Sequence, residues 1–285
     1  YSKEVLDYLG ITKSQLPVLS ESGVIVGEYN GIKVSTSALD QIAGITGAGV
    51  VKEGVMSETT GTALAVCAVC STLPPYYEGL KVSAYYVKKG LYCLLMWAPT
   101  AGAVLEWFKN NFCEGVSLKE IDEQAEKVQE GSEGLIAIPQ LCGTVMPENN
   151  PKAKGVFFGV ELKHTRAHFA RSIMESVAYM IREYVEFLGV NVDEIRSMGG
   201  GARSKLWCNI KSNVLNKKII TLKENETACL GGAILAGVGI GLYESVESVL
   251  DLIKIEKSYS PKGEDYSSAI ENFEKADAIL NVVEK

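Results

Sequence analysis

The sequence predicts an α/β protein, because segments with the two-residue period of strands alternate with segments that have the 3.6-residue period of helices. The strand-like segments are residues 24–26, 32–34, 64–67, 81–86, 92–97, 193–198 and 218–222. The helical segments are residues 35–48, 101–112, 118–129, 164–188, 204–215, 227–242 and 267–283. Since the last two strands each run into a helix, the sequence favours a sheet with helices packed on it.

The N-terminal elements are short. Residues 24–26 and 32–34 are joined through a turn that contains Asn30 and Gly31, which predicts a hairpin. A polar turn then enters a helix of small residues within 35–48. After it, residues 58–63 predict a turn rich in threonine and glycine that leads into an apolar strand.

The C-terminal half is richer in helices and loops. Residues 134–158 are predicted as loop, because Pro139, Pro147 and Pro151 interrupt any regular pattern. The chain closes with an amphipathic helix over 267–283. The residues predicted to form its apolar face are Ile270, Phe273, Ala276, Ile279 and Leu280.

Composition bounds the class of protein. The 285 residues are 47% hydrophobic and can form one large or two ordinary domains with a sizeable core. The net charge of −7 argues against a general nucleic-acid or anionic-membrane surface. The uncharged stretch 227–243 is shorter than the ~20 apolar residues of a membrane span. We therefore expect neither nucleic acid nor membrane as a partner.

The cysteines and the first residue indicate where the chain belongs. Seven cysteines, an odd number in mostly apolar segments, are predicted to be reduced thiols of a cytoplasmic protein. Cys67 and Cys70 form a CxxC for which burial is favoured, because redox use requires exposure. The chain begins with Tyr1 and without an apolar signal segment, so we expect it to be a piece of a longer protein.

Three consecutive glycines, Gly199, Gly200 and Gly201, followed by Ala202, stand between a predicted strand and a predicted helix. Such a turn exposes backbone N–H groups and lets a ligand lie against the main chain. The same pattern is also found in tight turns that bind nothing. From the residues alone, a nucleotide contact and a structural turn remain equal alternatives.

Two further segments carry oxygen-rich side chains. Asp40 stands where a loop enters a helix, where it can be a helix-capping or first-turn acid or a general base. The segment 58–63, Glu-Thr-Thr-Gly-Thr-Ala, can be an anion cradle or a β-turn of small polar residues. In both cases the structural alternative is favoured until a wider context is found.

The only histidines, His164 and His168, lie four residues apart on a predicted helix. This spacing suits a zinc pair, but no catalytic glutamate stands between them and no third ligand is evident. A structural role is therefore favoured, and no metal-ligating residue is predicted. Neither the dinucleotide-binding nor the P-loop glycine pattern is present.

Taken together, the segments resemble a known family. The segment 155–160 (GVFFGV) and, seven residues later, 168–175 (HFARSIME) resemble the second sequence signature of the FGGY carbohydrate kinases. Residues 39–44 (LDQIAG) are similar to the family's catalytic-aspartate segment. The other similar segments, in family order, are Gly61-Thr62, 101–107 (AGAVLEW), 199–207 (GGGARSKLW) and 228–233 (ACLGGA).

The resemblance implies an actin-like ATPase (ribonuclease H-like) fold and an ATP- and Mg²⁺-dependent sugar kinase. It implies that Asp40 is the base that takes a proton from the sugar hydroxyl. It assigns the remaining contacts to the nucleotide. Those residues are Gly61 and Thr62 at the transferred phosphate, Gly102 at a helix start, and Gly200, Gly201 and Ala202 at the adenosine.

The resemblance also implies a division of the chain. Residues 1–53 correspond to the tail of the first, sugar-binding domain, and residues 54–285 to the second, nucleotide-binding domain. The rest of the first domain, on the order of 200 residues, has no counterpart here, so we expect this piece alone to be inactive. Two departures from the family pattern, the residues before Gly61 and Lys205 after the glycines, weaken transfer of sugar and adenine contacts.

The resemblance favours a small ketopentose, xylulose, as the sugar. Ribulose, gluconate, glycerol or a deoxyketose is the alternative within the family. Outside it, the alternative is an actin-like module that binds ATP without catalysis, in which no base would be needed at Asp40. The sequence allows a homodimer without predicting one.

Overall fold

The computed structural model describes residues 1–74 and 82–283, with side chains described up to residue 279. Its first elements are small, and the predicted hairpin is confirmed. They are α1 (Lys3–Leu9), β1 (Ile25–Tyr29), β2 (Ile32–Ser35) and α2 (Asp40–Gly47). Helix α1 was not predicted from its pattern, although Ser2 caps its first turn and Gly10 ends it with a left-handed φ of 65°.

Four strands follow, β3 (Gly54–Thr60), β4 (Leu64–Cys70), β5 (Ser83–Lys88) and β6 (Leu91–Ala98). They pair antiparallel in the order β3-β4-β6-β5. The predicted strand at 81–86 is confirmed from Ser83 onwards, and its first residue, Lys81, lies outside the described residues. The prediction of a turn over 58–63 was wrong at its start, because Glu58 and Thr60 still pair with β4. The turn itself is only residues 61–63.

The remaining elements complete the fold. The helices are α3 (Gly102–Phe112), α4 (Leu118–Ala125), α5 (Arg166–Leu188), α6 (Lys205–Leu215), α7 (Thr227–Gly239) and α8 (Ser267–Val283). The strands are β7 (Ile136–Ile138), β8 (Val156–Phe158), β9 (Val192–Met198), β10 (Lys218–Leu222) and β11 (Ile255–Tyr259). The segment predicted as loop thus contains the antiparallel pair β7–β8, and β11 was not predicted.

The central sheet has seven strands in the order β11-β10-β9-β3-β4-β6-β5. Strand β9 is parallel to both of its neighbours, β3 and β10, whereas the other pairs are antiparallel. The carboxyl ends of β3, β9 and β10 therefore meet at one edge of the sheet. This is the place where open α/β sheets bind ligands.

Two cores lie on opposite faces of the sheet. On one face, Met56 and Ile195 pack with residues of α3, α5, α6 and α8. On the other face, Val55 and Ile220 pack with residues of α2. This arrangement of helices on both faces confirms the α/β class.

Helix α2 is held against α7 by very close packing. A Cβ atom on Gly47 would overlap the backbone of Thr227, and one on Gly231 would overlap that of Ala43. Only glycine allows two helix backbones to approach this closely. The helix that carries Asp40 is thereby fixed to the body that carries the central sheet.

Helix α8 covers the outer side of α5. The predicted apolar face is confirmed for Ile270, Phe273 and Ala276, which are buried. The prediction was wrong for Ile279, which is 57% exposed. The last part of the helix extends past the region where α8 contacts the core. The side chain of Leu280 lies outside the described residues.

Two predictions from composition, reduced cysteines and the lack of a membrane span, can be compared with the structure. All seven cysteines are free, and five of them are buried, including Cys67 and Cys70. Within 1–74 and 82–283, no helix combines the length and the apolar character needed to cross a bilayer.

Candidate nucleotide site

Two turns of the chain meet at the carboxyl ends of β3 and β9. One is the β3–β4 turn at residues 61–63, and the other, the glycine turn, is residues 199–203. A Cβ on Gly199 would lie 2.8 Å from the carbonyl oxygen of Thr60, and the φ of Gly199 is +77°. A side chain is excluded there on both counts. The parallel pairing of β3 and β9 thus brings together two segments that are 140 residues apart.

Within the glycine turn, neighbouring glycines have different surroundings. A Cβ on Gly201 would lie 2.7 Å from Cβ and 2.8 Å from Cγ2 of Thr60, so this residue is required by internal packing. Gly200 is exposed, and the nearest atom to its Cβ position is 3.9 Å away. Ala202 is half-buried and donates its N–H to Gly199 O at 3.3 Å. The open side of the turn is therefore at Gly200.

The start of α3 is clamped to the β3–β4 turn. Gly102 N–H donates to Gly61 O at 2.7 Å, and Ala101 N–H donates to Thr62 O at 2.9 Å. A Cβ on Gly102 would lie 2.5 Å from Gly61 O. Because Gly61 N–H is also used, by Ala63 O at 3.0 Å, the amides of Gly61 and Gly102 are not free to bind a phosphate. The exposed side chain of Thr62 keeps a hydroxyl available at this turn.

A small cleft lies beside the glycine turn, between the ends of β9 and β10. Its walls include the polar side chains of Arg203, Thr221, Asn225 and Glu256. The Oγ1 of Thr221 is buried and has no hydrogen-bond partner among the described residues. A buried hydroxyl without a partner is costly unless a water or a ligand satisfies it. The wall of the cleft therefore contains a buried hydroxyl whose hydrogen-bonding capacity is unused within the described residues.

Asp40 is exposed and is the first residue of α2. The cap position is Leu39, whose side chain makes no capping bond, so the helix-cap interpretation of Asp40 is wrong. One of its oxygens accepts the N–H of Gln41 at 2.7 Å. The carboxylate therefore lies at the exposed N-terminus of α2, with one oxygen turned back to the backbone.

Helix α2 is connected to the glycine turn through α7. The hydroxyl of Thr227, the first residue of α7, lies 3.2 Å from the sulfur of Met198, which directly precedes the glycines. As described above, the backbone of Thr227 also packs on Gly47 of α2. Asp40, α7 and the glycine turn therefore belong to one packed unit.

The sequence analysis missed a buried polar cluster beneath both turns. The Nζ of Lys211, on α6, donates to Glu58 Oε1 at 2.7 Å and to Thr60 Oγ1 at 2.9 Å. Ser197 donates its hydroxyl to the same carboxylate. Lys211 and Glu58 are both fully buried. The only sequence signal was a lysine within an otherwise apolar helical face, which we did not single out.

The signature around 168–175 is explained by structure rather than by ligand contact. Arg171 forms a buried ion pair with Glu175 at 2.7 Å and donates to Val128 O at 2.7 Å. Glu175 also accepts the hydroxyl of Ser132 at 2.7 Å. The pair thereby ties α5 to the segment that precedes β7.

The two histidines serve the start of α5. His168 Nδ1 accepts the N–H of Thr165 at 3.1 Å, and His164 Nδ1 accepts the N–H of Glu161 at 3.0 Å. Within the described part of the chain, no three histidine, cysteine or acidic side chains are placed to hold a metal ion. The two hydrogen bonds to backbone N–H groups give both histidines a structural use, which the sequence favoured.

The comparisons with known proteins identify the family. Residues 53–240 match the model of the FGGY family of carbohydrate kinases, C-terminal domain. Since the match spans more than half of the 285 residues of this chain, the chain belongs to this family. The resemblance stated from the sequence is confirmed.

Among curated relatives, a xylulose kinase of Staphylococcus epidermidis is 29% identical over 246 residues, which are 85% of this chain and 49% of the relative. A glycerol kinase of Saccharolobus islandicus is 30% identical over 270 residues, which are 91% of this chain and 54% of the relative. The chain thus spans about half the length of the curated relatives it matches.

Solved structures share the fold. A ligand-bound xylulose kinase from Lactobacillus acidophilus superposes with a TM-score of 0.88 at 21% identity, over 99% of this chain and 60% of that one. A Plasmodium falciparum glycerol kinase with ADP gives 0.85 at 21% identity, over 99% of this chain and 59% of that one. The α/β fold with a mixed sheet is consistent with the predicted actin-like ATPase architecture.

Proposed function

We propose that this chain is the nucleotide-binding part of an ATP-dependent sugar kinase, with Asp40 as the general base and xylulose as the sugar. The observation that carries the proposal is the meeting of the β3–β4 turn and the glycine turn at the carboxyl ends of parallel strands. Phosphoryl transfer asks a protein mainly to align its reactants and to stabilise charge. Two rigid turns that meet at one edge of the sheet suit that task.

The nucleotide would lie across both turns. Its adenosine part would enter the cleft between β9 and β10, where Thr221 offers its unpartnered hydroxyl. The adenosine would contact the backbone of the exposed Gly200. Gly201 and Ala202 would hold the conformation of the turn. The phosphates would point towards the hydroxyl of Thr62 and the first turn of α3, which begins at Gly102 and favours negative charge.

Asp40 would accept the proton of the sugar hydroxyl while the hydroxyl oxygen attacks the terminal phosphorus of ATP. The bond to the bridging oxygen then breaks, and ADP leaves with that electron pair. A base in this role needs to be ionised and within hydrogen-bond reach of the attacking oxygen. The exposed position of Asp40 at the start of α2 leaves room for a sugar to approach.

Mg²⁺ fits the site as a partner of the nucleotide. Magnesium commonly binds through substrate phosphates, waters and one or two carboxylates rather than through a full set of protein ligands. When bound, the ion would neutralise charge on the phosphates.

The division of the chain and the choice of sugar belong to the same proposal. The matched family region begins at residue 53 and the central sheet at Gly54, which supports a boundary there. Residues 1–53 would then belong to the sugar-binding domain. Xylulose is favoured by the xylulose kinase relatives, and glycerol is the second candidate because glycerol kinases match at similar identity.

The test is a transfer assay on the full-length protein as encoded, with ATP and a panel of xylulose, ribulose, gluconate and glycerol. We expect xylulose to give the highest kcat/KM. We expect Asp40→Asn to lower kcat by about 10²–10⁴-fold with ADP affinity retained, because only the base is removed. Asp251→Asn, a change of the same kind at an exposed surface position, is the matched control.

The results separate the alternatives. Preference for glycerol would replace xylulose by the second candidate. Binding of ADP without transfer to any sugar would favour a non-catalytic ATP-binding module. Near-normal turnover in Asp40→Asn would exclude this residue as the base.

A further inference from the structure

We propose that Lys211 is a positioning residue that fixes the distance between the β3–β4 turn and the glycine turn, so that one nucleotide can span both. The inference rests on the proposed function, since it takes both turns to be nucleotide contacts. Lys211 itself is fully buried and cannot contact the nucleotide directly. It would act through Thr60 and Glu58, which belong to the strand that leads into the β3–β4 turn.

The ammonium group of Lys211 donates hydrogen bonds to side chains of both β3 and β9. Lys211 Nζ lies 2.7 Å from Glu58 Oε1, 2.9 Å from Thr60 Oγ1 and 3.5 Å from Ser197 Oγ. An ammonium has three N–H donors, so the three oxygens match its capacity. Thr60 also donates its hydroxyl to Glu58 Oε2 at 2.7 Å. Together these four residues form what we call the Lys211 cluster.

The cluster is placed where small shifts would matter to the site. Thr60 is the last residue of β3 and directly precedes Gly61, while Ser197 comes two residues before Gly199. Lys211 belongs to α6, the helix that follows the glycine turn. The cluster therefore joins the strand before one turn, the strand before the other turn and the helix after it.

Thr60 transmits the constraint to the glycine turn by contact. Its Cβ and Cγ2 stand so close to Gly201 that a Cβ there would meet them at 2.7 and 2.8 Å. Its hydroxyl, on the other side, is held by Lys211. A change in the position of Thr60 would therefore move the glycine turn relative to Gly61.

Stability alone is a weak explanation for such a pair. Desolvation of two charges commonly offsets their attraction, and apolar replacements of similar volume are often neutral or stabilising. Trp207, whose ring centroid lies 5.3 Å from Lys211 Nζ, is buried with its indole N–H bonded to Met174 O at 2.9 Å. An apolar side chain would therefore find a suitable environment at position 211. The buried charge of Lys211 is better explained by the positions in which its hydrogen bonds hold Glu58 and Thr60.

The test replaces the pair by apolar groups in the double variant Glu58→Leu/Lys211→Met of the whole chain. Two ligands are compared, ADP by calorimetry and adenosine by ligand-observed NMR titration. In the binding mode proposed above, the phosphates of ADP point towards the β3–β4 turn, whereas adenosine carries no phosphate and would contact only the glycine turn. We expect the double variant to bind ADP about tenfold more weakly while its adenosine affinity is unchanged. A merely structural role would lower both affinities together or neither, and either result would overturn the proposal.

A second pair of variants keeps the test decisive if the double variant does not fold. Thr60→Val removes the hydroxyl that Lys211 holds but keeps the shape against Gly201, and we expect it to weaken ADP selectively. Thr60→Ser keeps the hydroxyl and should retain more of the ADP affinity than Thr60→Val. Thr46→Val removes another buried threonine hydroxyl, bonded to Ile42 O at 2.8 Å, and should not change ADP affinity.

Failure of this proposal and failure of the proposed function give different results. If the unmodified chain binds ADP and Thr60→Val binds it equally well, only the role of Lys211 is overturned. If the unmodified chain, alone and as part of the full-length protein, binds no ADP, the nucleotide site itself is refuted and the role of Lys211 with it.

Discussion

Gly200 and Gly201 are adjacent in the sequence, yet they are glycine for different physical reasons. Gly201 faces Thr60 and leaves no room for a Cβ, whereas Gly200 faces open space. The two interpretations of this turn that the sequence left open are therefore compatible. Packing within the protein explains Gly201, and room for a ligand is a sufficient reason for Gly200.

Alanine at each position should separate the two roles. Gly201→Ala forces a methyl against Thr60, and we expect it to lower the free energy of unfolding by roughly 1–3 kcal/mol, the usual cost of overpacking. Gly200→Ala should leave stability within about 0.5 kcal/mol but lower ADP affinity. Denaturant unfolding and ADP calorimetry on both variants measure this. Equal ADP affinity in Gly200→Ala and the unmodified chain would remove Gly200 from the site.

The buried hydroxyl of Thr221 gives a second prediction at this scale. Thr221→Val keeps the shape of the side chain and removes a group that has no partner within the described residues. We expect stability to be unchanged or higher, and ADP affinity to fall by the equivalent of about 0.5–1.5 kcal/mol, the net value of one hydrogen bond. Thr221→Ser, which keeps the hydroxyl, is the matched control. A loss of stability in Thr221→Val with unchanged ADP affinity would mean that the hydroxyl serves the fold.

At the scale of elements, α5 and α8 bring like charges together. Glu183 of α5 lies near Asp277 and Glu274 of α8 and near Glu186. Partial burial, with these neighbouring carboxylates, raises the pKa of Glu183 to about 7. The folded chain therefore holds a proton on Glu183 more tightly than the unfolded chain does.

The direction of the pH effect follows from linkage. A raised pKa in an acid contributes stability that is fully present below the ordinary value of 4.5 and is lost as pH rises through about 7. We expect Glu183→Gln to be more stable than the unmodified chain at pH 8 and equal to it near pH 4.5. Because the side chain also remains exposed, screening limits the gain to about 1 kcal/mol.

Denaturant unfolding at both pH values measures this effect. Glu114→Gln is the control, since Glu114 is exposed and is not among the carboxylates that raise the pKa of Glu183. A Glu183→Gln variant whose stability relative to the unmodified chain does not change between pH 4.5 and 8 would contradict the raised pKa.

The elements that the sequence predicted are those with a strong local pattern. Helix α5 has a long apolar face and strand β10 has a mostly apolar run, so each can be predicted from its own residues. Strands β7 and β8 have only three residues each, in a segment that contains prolines. Strand β11 carries the charged residues Glu256 and Lys257 and has no long apolar run. The pairing of these three strands therefore depends on tertiary contacts. Strand β3 was not predicted at all, because a buried glutamate such as Glu58 in a central strand requires Lys211, 153 residues away.

For the whole molecule, the sequence predicted the residues of the candidate site but not the contacts that hold them together. The glycines, the 61–63 turn and Asp40 could be found because each stands at a junction between elements and resembles a family segment. The hydrogen bonds that occupy the amides of Gly61 and Gly102 could not be found, since they depend on how α3 docks on the β3–β4 turn. The same holds for the Lys211 cluster, whose four members come from three elements.

Nucleotide binding should stabilise the chain as a whole, because the proposed site joins β3, β9, α3 and α6. A ligand that binds only the folded state adds about 2.7 kcal/mol at 100 times its Kd. We therefore expect ADP to raise the midpoint of thermal unfolding in a concentration-dependent manner. Gly200→Asp, which places a carboxylate at the open position of the glycine turn, should abolish the shift by steric exclusion and charge repulsion.

The matched control for this measurement is Gly27→Asp, since Gly27 lies in the exposed hairpin and has no atom within 4 Å of its Cβ position. This variant should show the full ADP-dependent shift. A full shift in Gly200→Asp would place the nucleotide elsewhere on the molecule. The two glycine variants differ only in location, so the comparison tests where the nucleotide binds independently of the charge that is introduced.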